Sequence, residues 1–375
     1  MGVINYTIAV MIYNVESFLP DCLDSIVSQQ GDDIEILLID DGSTDFSGTI
    51  CDDYAAKDRR IRAIHQKNSG VAAARNSALD NARGKWLIQV DGDDVLSERA
   101  VEKCRLYLDD NSDWLQFDSI PFSDISQMYN WKPKGEKIII QGDALRDLHV
   151  QLIDHSATNT HFPTYNMNPA WGKAWNMEFV RRFNLYYDIN VVKGEGTLFT
   201  FTCSYYAEKV TFVPCLIYGY RTNPSSIMHR FSGDILDNQS VQIGTYQRII
   251  SEHGESDDQT IQEALQKRSL YLIENAISLG IAHPDCNFKK REKKEFLYKL
   301  CDFQWVREAV DYASKNHVAN RLHYAIQKRN ISALLRYCAK LRMKIKLSVL
   351  IKKGRIEKAI QAVKRRLSKP FKSVV

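Results

Sequence analysis

Four short apolar runs punctuate the first hundred residues, and after each the apolar side chains return every third or fourth position. Thr7 to Tyr13, Ile34 to Asp40, Ile61 to Gln66 and Lys85 to Asp91 read as strands. Between them, Phe18, Leu19, Cys22, Ile26 and Val27 mark a helix within Glu16 to Gln29. Ser43-Thr44-Asp45 supplies an N-cap for a helix to about Ala56, and Asn68-Ser69-Gly70 turns into an Ala-rich helix over Val71 to Ala82. A further helix is expected from Ser97 to about Asp109. Strands and helices alternating at this spacing predict parallel strands joined by right-handed crossovers, an α/β layer fold of the nucleotide-binding kind. Asn14-Val15-Glu16 follows the first strand, with no Gly-x-Gly-x-x-Gly loop, which argues against a dinucleotide site.

The pattern loosens from Trp114 to about Met228. Short aromatic-rich strands (Trp114 to Phe122, Val210 to Val213, Leu216 to Tyr220) mix with helices near Gly142 to Ile153 and Met177 to Phe183. Beyond Arg230 the period is helical throughout. Ile261, Leu265, Arg268, Leu272, Ala276 and Leu279 share one face, as do Val318, Leu322, Ala325 and Ile326. The expected organisation is a domain over 1–230, with a nucleotide-binding half (1–110) and an acceptor half (111–230), then a helical appendage (231–330). A basic amphipathic tail (331–375) of two helices separated near Gly354 completes it.

Composition adds three points. A chain of 375 residues with 44% hydrophobic and 26% charged residues can bury a substantial core in more than one domain. The eight cysteines are scattered without a Cys-x-x-Cys pair, so reduced thiols are expected. There is no signal-peptide pattern and no apolar run of the roughly 18 residues a spanning helix needs, so a cytoplasmic location is expected. The formal charge of +4 conceals an asymmetry. Residues 328–375 hold 16 Lys and Arg against Glu357 alone, leaving −11 on the first 327 residues. An acidic body with a basic tail points to an anionic partner for the tail.

The chemistry is concentrated at two strand ends, Asp40-Asp41-Gly42-Ser43 and Asp91-Gly92-Asp93-Asp94. Carboxylates at the carboxyl ends of strands in one sheet lie along the edge where an α/β protein holds its ligand. They repel one another unless a cation joins them, which suggests a divalent metal with a phosphorylated substrate.

The residues also carry a resemblance. Ala9-Val10-Met11-Ile12-Tyr13-Asn14, Leu23-Asp24-Ser25-Ile26, Ile39-Asp40-Asp41-Gly42-Ser43-Thr44-Asp45, Asn68 to Asn76 and Val90-Asp91-Gly92-Asp93-Asp94 resemble the opening of family 2 glycosyltransferases. Weaker likeness continues through Trp171-Gly172-Lys173, Gly194-Glu195 and Ile217 to Met228. The resemblance implies a GT-A fold, Rossmann-like with a mostly parallel central sheet, that uses a nucleotide-diphosphate sugar and Mn²⁺ or Mg²⁺. The similarity is greatest to bacterial enzymes of capsule, exopolysaccharide and other envelope glycans. It assigns Asp93 to the metal, Asp91 to the ribose or the metal, and Asp41 to the uracil ring N–H. Tyr13 is set against the base or in the core, and Arg75 reaches the nucleotide or makes a salt bridge. Asp94, Lys173 and Arg221 are candidates for acceptor or diphosphate contacts, with structural roles as the alternative.

An inverting transferase needs a carboxylate to take the acceptor's proton. Relatives resembling this chain carry that base as the Asp of a Gly-Glu-Asp stretch; here Gly194-Glu195-Gly196 stands in its place. Glu195 as base, recruitment of another acid such as Asp188, or a nucleotide-sugar-binding pseudoenzyme acting as a partner subunit all follow as readings. For the tail, scarce aromatic interleaving argues against nucleic acid. An anionic membrane surface suits it better, with a glycan or polyprenyl-diphosphate-linked acceptor at the inner face of the plasma membrane.

Overall fold

The computed structural model describes residues 3–107, 111–129, 132, 136–157, 168–222 and 230–352. It divides into two compact units, Met1–Pro224 with Gly244–Leu265, and Ser225–Ile243 with Gln266–Val375.

The first unit is built on β1 (Tyr6–Ile12), β2 (Ile34–Asp40), β3 (Ile61–His65) and β4 (Trp86–Asp91), all parallel in the order β3-β2-β1-β4. β1 and β2 are buried along their whole lengths, as expected of strands covered by helices on both faces. The crossovers are α1 (Leu19–Val27), α2 (Ser47–Lys57) and α3 (Val71–Asn81). α1 turns Leu19, Cys22, Leu23 and Ile26 inward. One polar pair lies inside this layer. Glu35 accepts from Thr7 Oγ1 at 2.7 Å and from the Arg83 N–H at 2.5 Å, so the buried carboxylate is satisfied where β4 begins.

Beyond β4 the sheet becomes mixed. After β5 (Val95–Leu96) come α4 (Ala100–Arg105), β6 (Trp114–Phe122), α5 (Ser126–Tyr129), β7 (Ile138–Gln141) and α6 (Ala144–Ile153). Then follow β8 (Lys173–Asn176), α7 (Met177–Arg182), α8 (Glu195–Tyr206) and β9 (Lys209–Arg221). Among the described residues the nine strands form one sheet, continuing β4-β8-β6-β9-β5 with β7 on β9. The two expected segments Val210 to Val213 and Leu216 to Tyr220 are one strand. Pro214 lacks an N–H for the ladder, and the pairing with β6 shifts register there instead of ending. α8 lies where the sequence offers no amphipathic period. Leu198, Phe199, Phe201 and Cys203 are all buried, so the helix is apolar nearly all round.

The second unit is helical. It takes residues of α9 (Ile235–Glu252) and α10 (Gln259–Leu279), with α11 (Lys290–Asp302), α12 (Gln304–Lys315), α13 (Arg321–Gln327) and α14 (Ile331–Lys352). Its core draws on Phe296, Leu297, Trp305, Val306, Val310, Leu322 and Ile326. Val318, expected on the α13 face, is exposed, because that helix starts later at the Asn320 N-cap. The first turns of the basic tail belong to this core: Ile331, Leu334 and Cys338 of α14 are buried. The second expected tail helix lies outside the described residues. None of the described helices is long and apolar enough to cross a membrane, and all eight cysteines are free thiols.

At the ends of β2 and β3, His65 Nδ1 lies 2.8 Å from Asp40 Oδ2 and Nε2 lies 3.1 Å from Asp52 Oδ1. These two carboxylates hold the His65 pKa above its ordinary value. The Asp40 carboxyl is lowered: burial opposes the shift, but hydrogen bonds from Ser43 and His65 outweigh it. The raised imidazolium stabilises the fold fully below the ordinary histidine value of about 6.5 and loses that effect as pH climbs through the folded value. The Asp40 contribution fades only in acid. His65→Asn should therefore destabilise the protein more at pH 5.5 than at pH 8.5. The ring is 43% exposed, so solvent screening limits the difference to roughly 0.5 kcal/mol. Denaturant melts of both proteins at the two pH values measure it.

Candidate active site

The register of β1 brings the two acidic strand ends to one edge. Ile12 pairs with Asp40 on one side, and Met11 pairs with Asp91 on the other. The ladder extends one step further each way: Asp41 N–H donates to Ile12 at 2.9 Å, and Gly92 N–H to Met11 at 2.9 Å. Strands lie about 4.8 Å apart, so the ends of β2 and β4 flank β1 at about 10 Å separation. The loop after β1 is laced to the loop after β2. Asn14 and Val15 N–H groups donate to Ser43 and Ser47 hydroxyls, and Asn14 Oδ1 accepts from Thr44 N–H at 2.8 Å. Tyr13 directly follows β1 at this edge and is 46% exposed.

Asp41 is buried and organises the segment leading into α3. Its Oδ1 accepts from Gln66 Nε2 at 2.7 Å and Ser69 N–H at 2.9 Å; its Oδ2 accepts from Gly70 N–H at 2.8 Å. Gly42 makes the close turn possible. It has φ +71°, and a Cβ there would meet the Asn68 nitrogen at 2.8 Å.

Arg75 is the hub. Ala72, Ala74 and Ala78 keep α3 close to the sheet, and the guanidinium is only 3% exposed. Nη2 donates to Asp91 Oδ1 at 2.7 Å, and Nε lies 3.7 Å from Glu195 Oε1. The Tyr187 ring lies 5.8 Å from the guanidinium carbon, stacks on Phe199 and donates its hydroxyl to Gln89. Burial opposes the Arg75 charge, but Asp91, Tyr187 and Glu195 hold it protonated. Its Nη1 is buried without a hydrogen-bond partner. Glu195 is the first residue of α8, and its pKa is raised by burial, an effect Arg75 opposes and Asp91 reinforces.

The Asp93-Asp94 turn is clamped from β9. Tyr218 donates its hydroxyl to Asp94 Oδ2 at 2.5 Å and accepts from Asp91 N–H at 3.1 Å. Arg221 donates its backbone N–H to Asp94 Oδ1 and its Nε to the Asp93 carbonyl at 2.8 Å, and its Nη2 lies 3.0 Å from Asp21. The Asp94 carboxyl is pushed up to about 8, first by burial and then by the charges of Asp91 and Asp93. Acids this close disfavour each other's ionisation, so the turn is electrostatically suited to a cation. Among the described residues no set of three or more His, Cys, Asp or Glu side chains converges as metal ligands. Asp91 and Asp93 are hard oxygen donors of the kind that hold Mg²⁺ or Mn²⁺ together with substrate phosphates.

Lys173 sits on the strand next to β4. It is fully buried at the start of β8 and donates to the Pro169 carbonyl; burial lowers its pKa to about 7. Asp188 accepts from the Asn190 N–H and side-chain amide in its own turn. Sequence reasoning did not single out Gln66, Tyr187 or Tyr218. The aromatic run Tyr218-Gly219-Tyr220-Arg221 was the only signal for one of them.

Four parallel strands with acidic carboxyl ends, continued by a mixed sheet, define an α/β fold of the nucleotide-binding kind. Residues 7–178 match the family model Glycosyl transferase family 2. The "Uncharacterized glycosyltransferase EpsJ" of Bacillus subtilis is 32% identical over 227 residues, covering 59% of this chain and 62% of that protein. The "Glycosyltransferase GlyA" of Streptococcus pneumoniae is 30% identical over 222 residues, covering 59% and 31%. The chain thus spans less than two thirds of either relative. Among solved structures, S. aureus TarS 1–349 in complex with UDP-GlcNAc superimposes with a TM-score of 0.64 at 18% identity, covering 93% of this chain and 92% of that one. The fold is GT-A.

Removing the hydroxyl that joins Asp94 to Asp91 leaves two groups without that partner. Tyr218→Phe should cost about 1–3 kcal/mol of stability, read from urea midpoints at unchanged slope.

Proposed function

We propose that the protein is an inverting glycosyltransferase that moves a sugar from a nucleoside-diphosphate donor, a UDP-sugar, onto a glycan or lipid-linked glycan of the cell envelope. The observation that carries this reading is the Asp91–Arg75–Glu195 cluster at the carboxyl edge of the parallel strands. TarS, a neighbour in fold, is described in complex with UDP and with UDP-GlcNAc, which supports the choice of donor.

Each residue has a part in that reaction. Asp41 uses three acceptor positions within the protein, and a carboxylate has about four, so one remains for a base N–H. Tyr13 offers its face to the base. Arg75 presents the unpartnered Nη1 to a phosphate oxygen. Asp93, with Asp91, would hold Mn²⁺ or Mg²⁺, which neutralises charge on the departing diphosphate when bound. Asp94, Tyr218 and Arg221 keep that turn in shape. Glu195 takes the proton from the acceptor hydroxyl as its oxygen attacks the anomeric carbon and the bond to the diphosphate breaks. Its raised pKa brings the base closer to the operating pH, where proton transfer is most effective.

A second reading, a nucleotide-sugar-binding partner subunit without turnover, has one observation in its favour. Position 196, the aspartate in the family pattern, carries no side chain and lies against Ala170.

Glu195→Gln should lower kcat by roughly 10²–10⁴-fold with donor affinity retained. The assay is release of nucleoside diphosphate from UDP-sugars with Mn²⁺. Donor binding by the wild type without turnover across a broad acceptor panel would establish the second reading instead. Asp93→Asn should abolish most of the Mn²⁺-dependent activity while the fold persists by circular dichroism.

The tail reading is an anionic membrane surface. Lys340, Lys344 and Lys346 are exposed on α14 beside exposed Met343 and Val349, which supports it. Reversing these three lysines to Glu should weaken binding to phosphatidylglycerol vesicles by tenfold or more, since each near-surface cation contributes about 1 kcal/mol. Unchanged flotation of the variant would reject membrane attachment through this helix.

A further inference from the structure

Lys173 is buried on the strand next to β4, and the residues around it show a purpose for it. It closes the short strap 168–172 that precedes β8. At the far end of the strap the Gly172 carbonyl accepts from Gln116 Nε2 at 3.0 Å and from Phe117 N–H at 2.9 Å. At the near end Lys173 Nζ reaches back over four residues to the Pro169 carbonyl. Between these ties lies Ala170, itself buried. A Cβ built on Gly196 would stand 2.7 Å from the Ala170 nitrogen and 3.2 Å from its Cβ, against backbone that cannot rotate away. Gly196 follows Glu195 in the first turn of α8.

We propose that Lys173 is a positioning residue: its tie to Pro169 presses the strap onto Gly196 and so sets the start of α8, holding Glu195 toward Arg75. This rests on the reading of Glu195 as the proton acceptor. It also gives the missing aspartate a physical reason, because no side chain fits at 196 while the strap is in place. Restoring an acid there would displace the strap and with it Glu195, so Gly196→Asp should not raise activity. Burial lowers the Lys173 pKa to about 7, and repulsion from Arg75 adds to the shift. A neutral side chain would fill the same space at less expense if packing were the only role.

The test uses the full chain and four variants. Gly196→Ala adds one methyl group and should cut kcat by roughly 10–100-fold with donor KM little changed, as expected when a reacting group is misplaced. Lys173→Met should act in the same direction. The double variant should be no worse than the poorer single, because both release one strap. Independently of turnover, a crystal structure of Gly196→Ala should show Ala170 displaced and Glu195 Oε1 further from Arg75 Nε than 3.7 Å. Wild-type kcat in Gly196→Ala with Glu195 unmoved, or single losses that multiply in the double variant, would overturn the proposal. Glu195→Gln decides which claim has failed: inactive, it leaves the transfer reading standing without the strap; as active as wild type, it removes both.

Discussion

A single buried guanidinium reconciles charges that the fold would otherwise force apart. The parallel strands end in carboxylates, and α8 begins with another, so three segments distant in sequence deliver negative charge to one low-dielectric edge. Arg75 joins Asp91 and Glu195 there. Removing one partner of such a cluster leaves an uncompensated buried charge, which is far more costly than the net value of the contacts themselves. Its burial depends on the alanines of α3, which let the helix approach the sheet closely enough for the side chain to be enclosed.

The neighbouring turn solves the same problem differently. Asp94 carries no cationic side-chain partner in the described contacts; it takes a tyrosine hydroxyl and a backbone N–H instead. Neutral donors support a carboxylate less than a cation does, and the raised Asp94 pKa records the difference. One side of the edge is thus compensated by a cation within the protein, and the other by neutral donors only.

The strap 168–172 shows how this chain departs from the family 2 glycosyltransferase pattern it resembles without a change of fold. Its closeness to Gly196 links an apparent loss of a functional group to a packing constraint one helical turn wide. The second unit follows simpler rules. Its helices bury single apolar faces, and the basic tail enters that core through Ile331, Leu334 and Cys338 before its cations reach solvent.

Much of the first unit was legible in the chain alone. Largely apolar runs specified β1, β2 and β4, and their terminal acids followed, because parallel register leaves carboxyl ends together whatever the packing. Local periodicity also located α1 and the apolar stripe of α10, and a turn before an alanine-rich run located α3. It could not find α8, which is buried on nearly all sides and has strand-like composition, nor join the halves of β9 across Pro214. The partners of Arg75, Tyr218 and Lys173 lie 16 to 127 residues away or behind a turn of the strap. Such pairings come from how layers stack, and burial alone decides whether a lysine meets solvent or a carbonyl. Sequence period determined the elements and one chemical edge; three-dimensional packing decided which charges were neutralised and which were left for a ligand.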